Sequence, residues 1–119
     1  SGAAVATLTR SRAGAIAQSA VAPAFIASVI DECTKVATAE GYPPPPEAAD
    51  IVRGFFASAA STYGPSLLVD MEEGRTTEGE HTIGDMVRRA GERGIACPLL
   101  TAALCNLQAY EINRAARTA

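Results

Sequence analysis

Four consecutive prolines, Pro43–Pro46, interrupt the first half of this 119-residue chain. Each lacks a backbone donor and fixes φ, so neither a helix nor a central strand can pass through them. Whatever precedes Tyr42 must end there, and whatever follows must begin again near Glu47. Such a run is either a polyproline ligand for an SH3- or WW-type module or a stiff connection between two packed helices. The helical patterns on both sides favour the connection.

Upstream of the prolines, Phe25, Ile26, Val29, Ile30, Cys33, Val36 and Ala37 recur at spacings of three and four. That is one apolar stripe on a helix that Pro23 opens and Gly41 closes. Asp31, Glu32 and Lys35 are expected on its solvent face. Residues 3–9 read as a helix already under way, Arg10-Ser11-Arg12 as a break, and 13–19 as a short helical piece. Downstream, Glu47–Ser61 returns to helical spacing, with Ile51, Val52, Phe55, Phe56, Ala59 and Ala60 expected inward. A short helix follows Pro65 and closes at Gly74. Thr77 and Glu80 match a T-x-x-E capping box, which places the next helix start near Thr77. Ile83, Met86, Val87 and Ala90 form its buried side, and Arg88, Arg89, Glu92 and Arg93 its wet side. It stops at Gly94. A last helix runs from about Pro98 to Arg117 over Leu99, Leu100, Ala103, Leu104, Leu107 and Ile112. No stretch alternates with period two and no internal repeat is present, so the expected fold is one all-α domain of six or seven helices.

Thirteen acidic and ten basic residues leave a net charge of −3, too small a field to mark nucleic acid or an anionic membrane as partner. No apolar run reaches the ~20 residues of a membrane span, and there is no leader pattern. Cys33, Cys97 and Cys105 are odd in number and lack C-x-x-C spacing. They read as core thiols of a cytoplasmic protein, with no metal site and no disulfide framework. The chain opens on Ser1-Gly2-Ala3-Ala4 and reads as an excised domain.

The residues able to carry chemistry cluster between Pro65 and Pro98. Ser66 and Asp70 stand four apart on one helical face, so both can reach a single ligand. Glu78 arrives at the next helix start after a Gly74-Arg75-Thr76-Thr77 turn. Each also has a plain structural reading: Ser66 as a helix cap, Asp70 as a solvated acid, Glu78 as a first-turn acid favoured by the helix dipole. His81, the one histidine, has no partner at metal or triad spacing and reads as a surface or pocket-rim residue. Arg88, Arg89 and Arg93 read as a solvated face, with a grip on a cofactor phosphate as the rarer alternative. Neither G-x-G-x-x-G nor G-x-x-x-x-G-K-[ST] occurs, so this chain has no nucleotide loop of its own.

Taken in order, these segments resemble the C-terminal domain of the ketopantoate reductases (2-dehydropantoate 2-reductases). Ala4–Thr9 is similar to the family's N-x-L-T-A-L segment and Ser66-Leu67-Leu68-Val69-Asp70 to its S-M-L-x-D helix. Gly74-Arg75-Thr76-Thr77-Glu78 with Gly84 is similar to G-R-x-T-E-x-D-x-x-N-G, and Gly94–Leu99 to G-I-x-x-P. The resemblance implies an all-α domain of the 6-phosphogluconate dehydrogenase C-terminal-like type over residues 1–119. It also implies a Rossmann domain, absent from this chain, that precedes it and binds most of the NADPH. The implied reaction is NADPH-dependent reduction of 2-dehydropantoate to (R)-pantoate in pantothenate and coenzyme A biosynthesis, with possible homodimerisation. By the same resemblance Ser66 holds the substrate, Asp70 orders that wall, and Glu78 is catalytic, touching substrate and a catalytic lysine that lies before Ser1. The chain departs from the family at Ala3 and Ile83, where asparagines are usual, and at Gly79 and Glu80. Two rival readings remain: the helical domain of a related 2-keto-acid or hydroxy-acid dehydrogenase, and a stand-alone helical interaction module.

Overall fold

The last helix is the spine of the molecule. The computed structural model describes residues 1–118, which form seven helices and no strand. These are α1 (Gly2–Thr9), α2 (Ala13–Ala17), α3 (Ala22–Ala39), α4 (Glu47–Phe55), α5 (Ser66–Glu72), α6 (Gly79–Glu92) and α7 (Pro98–Thr118). Leu100, Ala103, Leu107 and Tyr110 make one buried stripe along α7, against which α6, α1 and α3 pack. Val5, Val29 and Val36 on the facing helices are wholly buried. Full burial of each such leucine or valine contributes about 1.5–3 kcal/mol. The shortest extent of the molecule is 20 Å, the thickness of two helices about 10 Å across.

Three helices end in the same way. Gly41, Gly74 and Gly94 follow α3, α5 and α6 with φ of 89°, 72° and 67°. The next residue then donates five back: Tyr42 to Ala37 at 2.9 Å, Arg75 to Asp70 at 2.8 Å, Ile95 to Ala90 at 2.9 Å. A side chain in that left-handed conformation is strained, so glycine sets where the helix stops.

Several expectations are corrected. Glu32 does not face solvent; it is 7% exposed. Its Oε2 accepts from Leu99 N and its Oε1 from Leu100 N, both at 3.0 Å. The first N–H groups of a helix lack intrahelical acceptors, so this carboxylate caps α7 from α3 and is buried at no polar loss. The capping box does not form either. Glu111 takes Thr77 N at 2.8 Å, Glu80 accepts from Gln108 at 2.9 Å, and α6 begins at Gly79. α4 stops at Phe55 and buries none of its own residues; Ile51 is 59% exposed and only Phe56, just beyond, is buried. The chain leaves the helix there because both rings turn to Tyr63, Phe55 stacked at 4.5 Å and Phe56 edge-on at 6.0 Å, while Tyr63 O accepts from Ala13 N at 2.9 Å. Ile112 is 69% exposed, its expected core place being taken by Tyr110. Cys105 is exposed, Cys33 half-buried and Cys97 buried.

Candidate functional site

α5 and α6 meet at the turn between them, and a cavity of about 450 Å³ opens there. Ser66 and Asp70 of α5, Thr76, Thr77 and Glu78 of the turn, and Thr82 of α6 line it. Ala3 of α1 completes its wall. The three residues singled out in the sequence therefore surround one space. Their states differ. The Ser66 hydroxyl and the Glu78 carboxylate make no side-chain hydrogen bond or ion pair among the described residues, and both are exposed. The Asp70 carboxylate is committed: Oδ1 accepts from Arg75 Nε at 3.1 Å and Nη2 at 2.9 Å, and Arg75 also pairs with Glu73.

The turn is held from the far end of α7. Tyr110 donates to Arg75 O at 2.6 Å, Arg114 Nε donates to Gly74 O at 3.0 Å, and Glu111 accepts from Thr77 N at 2.8 Å. Arg10 lies over the Tyr110 ring at 5.5 Å, a cation–π contact that keeps this tyrosine in place. Gly79, the first residue of α6, is buried against Leu107; a Cβ there would stand 2.3 Å from Leu107 Cδ1. Glu78 is thus presented by a turn whose backbone is fixed on both sides. Sequence reasoning missed Tyr110, Glu111 and Arg114. The one available signal was a tyrosine and an arginine four apart at the end of an otherwise apolar stripe.

His81 is exposed and lines a separate depression with Glu80, Gly84, Asp85 and Arg88, apart from the Ser66–Glu78 cavity. The arginine face is neutralised within the protein. Arg88 bonds Asp85 at 2.6 Å and Glu92 at 2.7 Å, Arg89 bonds Asp85 at 2.7 Å, and Arg89 and Arg93 reach Glu40 at 3.4 and 3.5 Å. The hydrogen bond from Arg89, then that from Arg88, holds the Asp85 carboxyl below the usual carboxylate range. Asp85 in turn raises both guanidiniums above their ordinary value. Lys35 pairs with Asp31 at 3.0 Å on the outside of α3. Among the described residues no three His, Cys, Asp or Glu side chains gather as a metal site, and no helix is long and apolar enough to cross a membrane.

A family model, the ketopantoate reductase PanE/ApbA C-terminal domain, matches residues 1–111. The chain belongs to that family. An uncharacterized oxidoreductase of Bacillus subtilis (strain 168), YkpB, is 33% identical over 87 residues, covering 73% of this chain and 29% of the relative. Among solved structures, a PanE/ApbA family ketopantoate reductase from Ralstonia eutropha JMP134 superposes with a TM-score of 0.81 at 26% identity, over 93% of this chain and 37% of that one. A dimeric ketopantoate reductase from Staphylococcus aureus gives 0.81 at 21% identity, over 95% and 39%. A D-mandelate dehydrogenase solved with NADH and anilino(oxo)acetate gives 0.81 at 21% identity, over 95% and 48%. The family match runs from α1 into α7, and the chain spans 29% to 48% of the length of these relatives.

Proposed function

We propose that this PanE/ApbA domain is the substrate-side half of an NADPH-dependent 2-keto-acid reductase, with 2-dehydropantoate as the reference substrate. The observation that carries the reading is the cavity in which the Ser66 and Glu78 side chains are unpartnered while Asp70 and the turn leading to Glu78 are tied down. Unsatisfied polar groups held in fixed positions are what a bound keto acid needs for orientation.

The described residues form no strand and the chain has no glycine-rich phosphate turn, the parts that hold most of a nicotinamide cofactor. Most of the cofactor contacts are assigned to an N-terminal Rossmann domain, the partner proposed for this domain, and the cofactor supplies the hydride when bound. What this chain supplies is position and charge. The Ser66 hydroxyl donates to the substrate carboxylate or hydroxyl. The Glu78 carboxylate contacts the substrate and orients the proton donor, a lysine of the missing half, toward the developing alkoxide. Asp70 acts through Arg75, keeping the turn in register. Homodimerisation in the cytoplasm completes the reading.

The test is oxidation of NADPH, and in parallel of NADH, by the full-length gene product with 2-dehydropantoate. Turnover with 2-dehydropantoate or another 2-keto acid supports the reading. Absence of turnover with every 2-keto acid tried overturns it and leaves the helical interaction module.

A further inference from the structure

A second and more apolar cavity, of about 420 Å³, adjoins the first. The two share Ala3 and Thr82 in their walls, so they lie side by side. Cys33 and Ala37 of α3, Pro45 of the connection, Val52 of α4, and Ile83 and Met86 of α6 form much of its wall, with residues of α1 and α7 adding to it. Among the described residues no Asp, Glu, Lys, Arg or His side chain lines it; the polar ones that do are Ser1, Cys33, Thr34 and Thr82. Thr82 already donates to Glu78 O at 3.2 Å.

We infer that this cavity receives the substituent on the keto carbon of the substrate, so the protein favours 2-keto acids whose substituent is bulky and apolar over hydroxylated ones. The inference rests on the reductase reading and narrows its substrate. An apolar space of about 150 Å³ suffices for a benzene ring, so size leaves room for a branched alkyl or aryl group. A hydroxylated substituent would give up water for a wall with few partners, whereas each buried methylene gains. The α3–α4 connection thereby acquires a role: Pro44–Pro46 form a rigid wall that spends no side-chain entropy when a ligand arrives.

The experiment measures kcat/KM of the full-length protein for pyruvate, 3-methyl-2-oxobutanoate, 4-methyl-2-oxopentanoate, phenylpyruvate and 2-dehydropantoate. The expected result is a rise of about ten-fold or more from pyruvate to the larger apolar acids, with 2-dehydropantoate below them. Ala49→Phe then intrudes from α4, a helix that buries none of its own residues. It should cut the ratio of phenylpyruvate to pyruvate kcat/KM by about ten-fold or more; Ala49 is half-buried against the core, and a ratio taken on one protein is indifferent to any loss of stability. A flat series, a preference for 2-dehydropantoate, or an equal loss on all substrates in Ala49→Phe overturns this inference while leaving the reductase reading standing. No turnover of any keto acid overturns both.

Discussion

Arg75 grips Asp70 through two nitrogens on a single carboxylate oxygen, at 2.9 and 3.1 Å, across the turn that leads to Glu78. Asp70 is 27% exposed and Arg75 more so, and pairs of that kind contribute about 0–1 kcal/mol. The bond's value is therefore positional. Asp70→Asn should leave the unfolding free energy within about 1 kcal/mol of the parent. Amide exchange at Thr76–Glu78 should nevertheless quicken, and kcat/KM should fall. Unchanged exchange in the turn would mean that α7 alone orders it.

Glu78→Ala in the full-length protein is expected to lower kcat/KM by roughly one to three orders of magnitude, the scale of a lost positioned polar group. The exposed carboxylate holds nothing else together, so the melting temperature should stay put. Ser66→Ala should act mainly by raising KM. Steady-state kinetics on the two variants separates the roles, and parent-like turnover in Glu78→Ala would remove the assignment.

Gly79→Ala would drive a methyl group into Leu107, which is itself buried in the core. Overpacking of this kind costs about 1–3 kcal/mol. Because Gly79 follows Glu78 directly, activity should fall with stability. Urea denaturation alongside kinetics checks both, and a variant as stable as the parent would show that α6 can slide.

Glu32→Ala removes two acceptors from the start of α7. Hydrogen bonds to a charged group contribute about 1.5–3 kcal/mol each, so the loss should be at least about 2 kcal/mol. Glu32→Gln, which keeps one acceptor, should lose less. Denaturation midpoints rank the three proteins.

Asp85 should titrate by NMR below the usual carboxylate range, since Arg89 and Arg88 favour its charged form. The sign follows from linkage: a carboxyl lowered by folding stabilises the native state above its unfolded pKa, and that contribution disappears as pH falls through the lowered folded value. Asp85→Asn should abolish this limb of the acid profile by lowering stability at neutral pH, while leaving stability at acid pH, where Asp85 is already protonated, nearly unaltered. An ordinary Asp85 titration would mean that the arginines turn to Glu92 and Glu40 in solution.

Helix positions were legible where local chemistry decides them. Ile26, Val29, Ile30 and Val36 show their period directly, and Gly41, Gly74 and Gly94 mark stops that no other residue makes as easily. The gathering of Ser66, Asp70 and Glu78 around one cavity was also readable, since a seven-residue helix and a short turn leave little freedom. What escaped depends on distant partners. Glu32 looked wet because nothing local shows that Leu99 and Leu100 need acceptors from 67 and 68 residues away. Thr77 and Glu80 have the right spacing for a box, but Glu111 and Gln108 compete successfully for the same groups. The stripe Ile51–Phe55 is as helical as any other, yet Tyr63 draws the rings away from the axis.

The clamp of Tyr110, Glu111 and Arg114 separates two definitions of this domain. Judged by hydrophobic burial alone, a shortened protein could end soon after Leu107 and keep most of its interior. Judged by the turn that presents Glu78, it must continue through Arg114, three residues past the stretch common to the family. A truncation between those points would yield a well-folded protein with an idle site, although every residue that faces the cavity would still be present.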